Sequence, residues 1–201
     1  MPSALWARIT IGLAAAAWLV VAILLDVPDQ DKFLKSIGGI ASVVVLALMA
    51  FDRFAWRWLP ESLVRVPKLY GTWRVEIKYR LKDDTESSKF GYMVIRQTFS
   101  AIECVGMHFE DSESASQSSD LRKQNGNWNL WFAYWSRAGI LTREDNSPHK
   151  GGVELRVGGG PNRRLIGEYW TDRGSCGTIA AWNRVSKHSS TYGEGVENVP
   201  D

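Results

Sequence analysis

Aromatic side chains lying near cationic and hydrogen-bonding ones are the residues of this chain best suited to chemistry. Trp73, Tyr134, Tyr169 and Trp170 offer flat faces, while Arg96, Gln97, His149, Thr171 and Arg173 offer donors. A base stacked on an aromatic ring is worth about 1–3 kcal/mol. A hydrogen bond to a charged group is worth about 1.5–3 kcal/mol. A pair of each would hold a small anionic nucleotide at submicromolar concentration once association costs are met. Any one of these aromatics taken alone reads better as core filling; only the combination points to a ligand.

The remaining candidates for chemistry are isolated. His108, His149 and His188 stand apart, with no metal-ligand spacing and no nucleophile motif beside them. Gly158-Gly159-Gly160 precedes no helical pattern, so it reads as a hairpin turn and not as a phosphate loop. The two cysteines, Cys104 and Cys176, lack zinc spacing and are expected as reduced, buried thiols. No catalytic residue, metal or cofactor is expected, and the chain does not read as an enzyme. Lys and Arg number 24 against 22 Asp and Glu. That balance argues against a binder of DNA or RNA polymers, so an anionic ligand must meet a local pocket of positive charge.

The elements that must position these side chains fall in two parts. From Leu69 the hydrophobic period is two. In Gly71 to Leu81, Trp73, Val75, Ile77, Tyr79 and Leu81 share one face, and Arg74, Glu76, Lys78 and Arg80 the other. Further strands are predicted over Phe90–Ser100, Ala101–Glu110, Trp128–Arg137, Gly152–Gly158, Arg164–Asp172 and Cys176–Val185, with Asn125-Gly126 as a hairpin turn. Asp111 to Asp120 is either a linker or a short edge strand whose serine hydroxyls face a polar interior. The fold class is therefore all-β: about eight antiparallel strands closed into a small barrel over 69–186, with a sandwich as the structural alternative. Such a barrel is filled by side chains or holds one small ligand. The stretch 187–201 is Ser-, Gly- and Glu-rich and is expected to be disordered.

Before the barrel, Ile9 to Leu25 and Ser36 to Phe51 carry no charge. With their flanks each reaches roughly the 20 residues that cross a bilayer core. They predict a transmembrane hairpin over 1–59, with helices near 5–25 and 33–52, an acidic loop between them and a connector over 60–68. Leu59-Pro60 is expected to end the second helix. Arg8 before the first span, and Arg53, Arg57, Arg65 and Lys68 after the second, put both ends in the cytoplasm. Trp6 at one end, and Phe54, Trp56 and Trp58 at the other, suit the headgroup layer. Gly12 with Ala16, and Gly38 with Ser42, have the four-residue spacing that lets membrane helices approach closely.

The order of parts and several local patterns resemble a bacterial family. It comprises the membrane effectors of cyclic-oligonucleotide anti-phage signalling (CBASS), with two N-terminal transmembrane helices and a β-barrel sensor. The matching stretches are the hairpin, Tyr70-Gly71-Thr72-Trp73, Ile95-Arg96-Gln97, the Ser-rich Ser112 to Ser119, and Pro148-His149-Lys150-Gly151. Gly167-Glu168-Tyr169-Trp170-Thr171-Asp172-Arg173, followed by Gly177, completes them. The resemblance implies a receptor for a cyclic dinucleotide made by a partner nucleotidyltransferase on infection. The effectors would self-associate and disrupt the bacterial inner membrane, killing the cell before phage matures. On the residues alone, a membrane-tethered binder of an apolar ligand, similar to lipocalins in its Gly-x-Trp strand, or a structural membrane scaffold, remains open.

Overall fold

The computed structural model describes Gly12 and residues 30–80, 85–139, 146–160 and 162–200, with side chains in the first helix described from residue 42. The chain divides into two compact units: residues 1–66 with 98–100, and the rest.

In the first unit, helix α1 (Gln30–Arg53) is followed by a 3-10 turn (Ala55–Arg57) and a single helical turn, α2 (Glu61–Val64). The helix thus stops well before Pro60, which instead caps α2. Trp56 is fully buried, with its ring 6.2 Å from that of Phe99, while Phe54 and Trp58 stay exposed. Burial of Trp56 removes it from the three rings expected at a membrane interface. Asp52 ties this unit together: its carbonyl accepts from the Phe99 N–H at 3.0 Å, and its carboxylate accepts from the Ser100 N–H at 2.9 Å. Among the described residues no helix is long and apolar enough to cross a membrane. Apart from Gly12, the first expected span, Ile9 to Leu25, and Trp6 lie outside them.

The second unit is a closed antiparallel barrel in strict sequence order: β1 (Gly71–Arg80), β2 (Glu86–Gln97), β3 (Ile102–His108), β4 (Ser112–Gln124), β5 (Asn127–Ala138), β6 (His149–Val157), β7 (Leu165–Thr171) and β8 (Cys176–Val185). Closure pairs β1 with β8 from Thr72 opposite Val185 to Tyr79 opposite Gly177. The serine-rich segment is a full strand, and closure removes any edge for it to occupy. Asn125 and Gly126 both take positive φ (49° and 83°), as a two-residue hairpin turn requires.

Alternation decides the lining. Trp73, Val75, Met93, Ile95, Leu130, Phe132, Val153, Leu155, Leu165, Ile179 and Ala181 are fully buried in one cluster, as the one-faced pattern of β1 predicts. The shortest backbone ladder is β3–β4, running only from Gly106 opposite Ala115 to His108 opposite Glu113. Beyond it serine hydroxyls continue the pairing. Ser116 Oγ accepts from the Val105 N–H at 2.9 Å, and Ser119 Oγ donates to the Ile102 carbonyl at 3.0 Å.

The chain after Val185, expected to lack order, is held against the barrel. The Thr72 hydroxyl donates to the Lys187 carbonyl at 2.7 Å and accepts from the Ser189 N–H at 2.9 Å. Helix α3 (Tyr192–Asn198) is capped by Thr191, which accepts from the Glu194 N–H, while Glu194 accepts from the Ser190 N–H. That Thr-x-x-Glu spacing is a helix start that composition conceals. Gly195 lets the Tyr92 ring lie against the helix, since a Cβ there would fall 2.3 Å from it. Neither cysteine is in a disulfide; Cys104 is half-buried and Cys176 exposed, so the expected burial fails for Cys176.

Candidate functional site: the polar mouth of the barrel

The two ends of the barrel differ. At the end where β1 begins, the chain plugs itself. Leu69 is fully buried, and its carbonyl accepts from Trp73 Nε1 at 2.8 Å. Gln97, 2% exposed, accepts from the N–H groups of Leu69 (2.7 Å) and Tyr70 (3.1 Å) and donates to the Pro67 carbonyl (3.0 Å). Every polar atom of that side chain is committed to holding the connector over the barrel base.

At the opposite end the inward residues change character. Ser87, Lys89, Ser112, Ser114, Ser136, His149 and Thr171 replace the aliphatics on the inner face, judged from their ladder partners. Ser114 and Ser136 face each other across β4 and β5 and are nearly buried. Aromatic rings stand among them but lie back against the wall. Tyr134 sits opposite Gly151, where a Cβ would fall 2.5 Å from its ring and hydroxyl. Phe109 lies over Gly91 in the same way, with the corresponding distance 2.4 Å. Glycine within a strand marks close approach of another group, and here each removes the bulk that would push a ring across the lumen.

Five of the eight residues expected to bind ligand meet at this mouth. Tyr134 and His149 pack edge to face with centroids 6.3 Å apart. Arg173, in the β7–β8 turn, donates to the Ser147 carbonyl (3.2 Å), Ser147 Oγ (3.4 Å) and Asn146 Oδ1 (3.2 Å). The Thr171 and Ser175 hydroxyls share a 2.6 Å hydrogen bond that closes the same turn. Tyr169 is the fifth, in register with Gly177. The other three lie elsewhere. Trp73 and Gln97 belong to the base, and Arg96 lines a groove of about 510 Å³ on the outer wall with His108, Trp135 and Arg137. Neighbouring residues on a strand point to opposite faces, so Arg96 and Gln97 cannot share one lumen.

Electrostatics at the mouth follow from partial burial. Desolvation pushes both the Tyr134 and Tyr169 hydroxyls up to about 12, so they remain neutral donors. Burial also lowers the His149 pKa below 6.5, outweighing its hydrogen bond to the Ser147 carbonyl. That bond, 3.0 Å from Nδ1, makes Nδ1 the donor and leaves Nε2 as an acceptor in the neutral ring. A group that sequence reasoning missed stands on β2: Lys89 pairs with Asp111, donates to Ser112 Oγ at 3.4 Å, and has its ammonium 5.0 Å from the Phe109 ring centroid. Its signal was parity, since Lys89 shares the inward face with Gly91, Met93 and Ile95. Among the described residues no cluster of three or more His, Cys, Asp or Glu could hold a metal.

A small closed barrel, sealed at one end and lined at the other by tyrosines, hydroxyls and cations, defines a receptor for a compact polar ligand. The chain belongs to the family "Cap15, cyclic dinucleotide receptor domain", a CBASS effector domain, which it matches over residues 64–184, the span of the whole barrel. No curated protein matches it.

Proposed function

We propose that this chain is a membrane-anchored CBASS effector whose barrel mouth binds a cyclic dinucleotide and acts as a receptor, not an enzyme. The observation that carries the reading is the mouth itself: Tyr134, His149, Tyr169 and Arg173 gathered at the unplugged end of a barrel of the cyclic dinucleotide receptor family. The tyrosine rings offer stacking faces for bases, Arg173 a partner for phosphate, and neutral His149 an acceptor for a ribose hydroxyl or a base N–H.

The membrane part of the proposal draws on sequence and exposure. Ile9 to Leu25 and Ser36 to Phe51 are uncharged. Val43, Val45, Leu46 and Met49 are each more than half exposed on α1, an apolar surface that water does not favour. With basic residues flanking the pair, the barrel would lie on the cytoplasmic side of the inner membrane. Hairpins associate weakly in lipid. A ligand that binds the assembled form better shifts that balance by its differential affinity, and the assembled hairpins then breach the bilayer.

Isothermal titration of the full chain in detergent, against cyclic dinucleotides of adenosine, guanosine and uridine, tests the receptor role. One of them should bind at micromolar concentration or tighter. Sedimentation of the same samples tests assembly, with a shift to larger species expected only for the ligand that binds. Titration with no heat for any of them overturns the receptor role.

A further inference from the structure

A cyclic dinucleotide carries its two phosphates on opposite edges of one ring, so a receptor that uses a single cation leaves half of the charge unmet. Arg173 supplies one cation, from the β7–β8 turn. The eight strands close in sequence order, so β2 is four strands from β6 in either direction. Lys89 therefore enters the mouth from the wall opposite His149, while Arg173, rooted in the β7–β8 turn, directs its guanidinium to Ser147, two residues before His149. Its position opposite Ile77, a residue packed against the core, fixes its inward direction.

Lys89 is poised and already occupied. Its ammonium is paired with Asp111, hydrogen-bonded to Ser112 Oγ, and stands over the Phe109 ring, with about a quarter of the side chain exposed. Ser112 Oγ also donates to the Asp111 carboxylate at 3.0 Å. Burial raises the Asp111 pKa, but the hydrogen bonds from Lys89 and Ser112 and the Lys89 charge outweigh it, so the carboxylate is held ionised. Asp111 belongs to the short β3–β4 turn, next to the strand pair with the shortest ladder. We propose that Lys89 is the second phosphate contact of the mouth, kept in reserve by Asp111 until an anionic ligand takes its place.

This rests on the receptor role above and goes further by naming a residue and a competition within it. A phosphate oxygen replaces the Asp111 carboxylate as acceptor from Lys89, with no change in the number of charges on the protein. Phe109, already beneath the ammonium, keeps its orientation while the partner changes.

The test is a double-mutant cycle on the full chain in detergent, read by titration with whichever of cyclic di-AMP, cyclic di-GMP, cyclic di-UMP or cyclic GMP–AMP binds the wild type most tightly. Lys89→Gln should weaken binding about ten- to hundredfold, the worth of one charge-assisted hydrogen bond, and Lys89→Arg should restore most of it. Asp111→Asn should tighten binding several-fold, but only while Lys89 is present; combined with Lys89→Gln it should add nothing. Wild-type binding that Lys89→Gln leaves within about twofold, or an Asp111→Asn gain that persists without Lys89, overturns this inference while leaving the receptor role intact. Wild-type failure to bind any of the four overturns both. Should Lys89→Gln fail to fold, Asp111→Asn and Lys89→Arg carry the same decision: no gain from the first overturns the proposal.

Discussion

The base and the mouth of this barrel are made from the same eight strands, and they spend their side chains on opposite ends. At the base, polar groups are consumed by the chain itself: all the hydrogen-bonding atoms of Gln97 hold the connector, and Trp73 Nε1 is bound to Leu69. At the mouth, Arg173 is held by the neutral oxygens of Ser147 and Asn146, and Lys89 by the Asp111 carboxylate, all at the barrel's turns. Buried groups with fixed partners give rigidity, since leaving them unpaired costs more than their bonds contribute. Partly exposed charges contribute little to stability, so the fold does not depend on their partners. A polar residue on the inner face of a barrel is therefore not by that fact a binding residue; its depth and its existing partners decide.

The comparison can be broken most severely at the base. Trp73→Ala should cost about 3–5 kcal/mol in chemical denaturation, the usual range for a fully buried tryptophan, because it would leave a cavity in the packed core. A loss below about 1 kcal/mol would mean the base is not the rigid end. Gln97→Ala should come next, at roughly 2–4 kcal/mol, since it strands the Leu69 and Tyr70 N–H groups at about 1–3 kcal/mol each with some relief from rearrangement. The ligand affinity of the folded fraction should not change.

At the mouth the effects should invert. Arg173→Ala should weaken cyclic dinucleotide binding about ten- to hundredfold while moving stability by no more than about 0.5 kcal/mol, measured by titration and denaturation of the same preparation. Gly151→Ala stands between the two classes. Its Cβ would meet both the Tyr134 ring and the Trp170 carbonyl at 2.5 Å, so it should cost about 1–3 kcal/mol and also displace the Tyr134 ring at the mouth.

The smallest effect should be that of acid. Burial holds His108 and His149 below 6.5 in the folded chain. Below that value the unfolded chain binds more protons than the folded one, so stability should fall as pH drops through the ordinary histidine range. The lowered Asp111 pKa acts in the same direction, but only below about its ordinary 3.8. Melting temperature followed from neutral pH downward should decline in the wild type and flatten in the His108→Gln/His149→Gln double variant.

Much of the fold was legible because its cause is local. Alternation in Gly71 to Arg80 assigned Trp73, Val75, Ile77 and Tyr79 to one face, and they line the interior as expected. Asn125-Gly126 specified its own turn. The serines of β4 left a linker and a short edge strand open, and the structure gives a full interior strand in which Ser114 is buried while Ser116 and Ser119 bond to the β3 backbone. Thr191-x-x-Glu194 was readable but outweighed by the polar composition around it, so the ordered tail went unforeseen.

What the sequence by itself determined is a face for each residue, since a strand turns its side chains over every second position whatever its neighbours do. Depth along the barrel axis came only from the tertiary structure. Closure and register place Gln97 at a sealed base and Lys89 at an open mouth, although both point inward on the same strand. The physical reason is that depth is set by pairing with strands distant in sequence, and no periodicity within one strand records it.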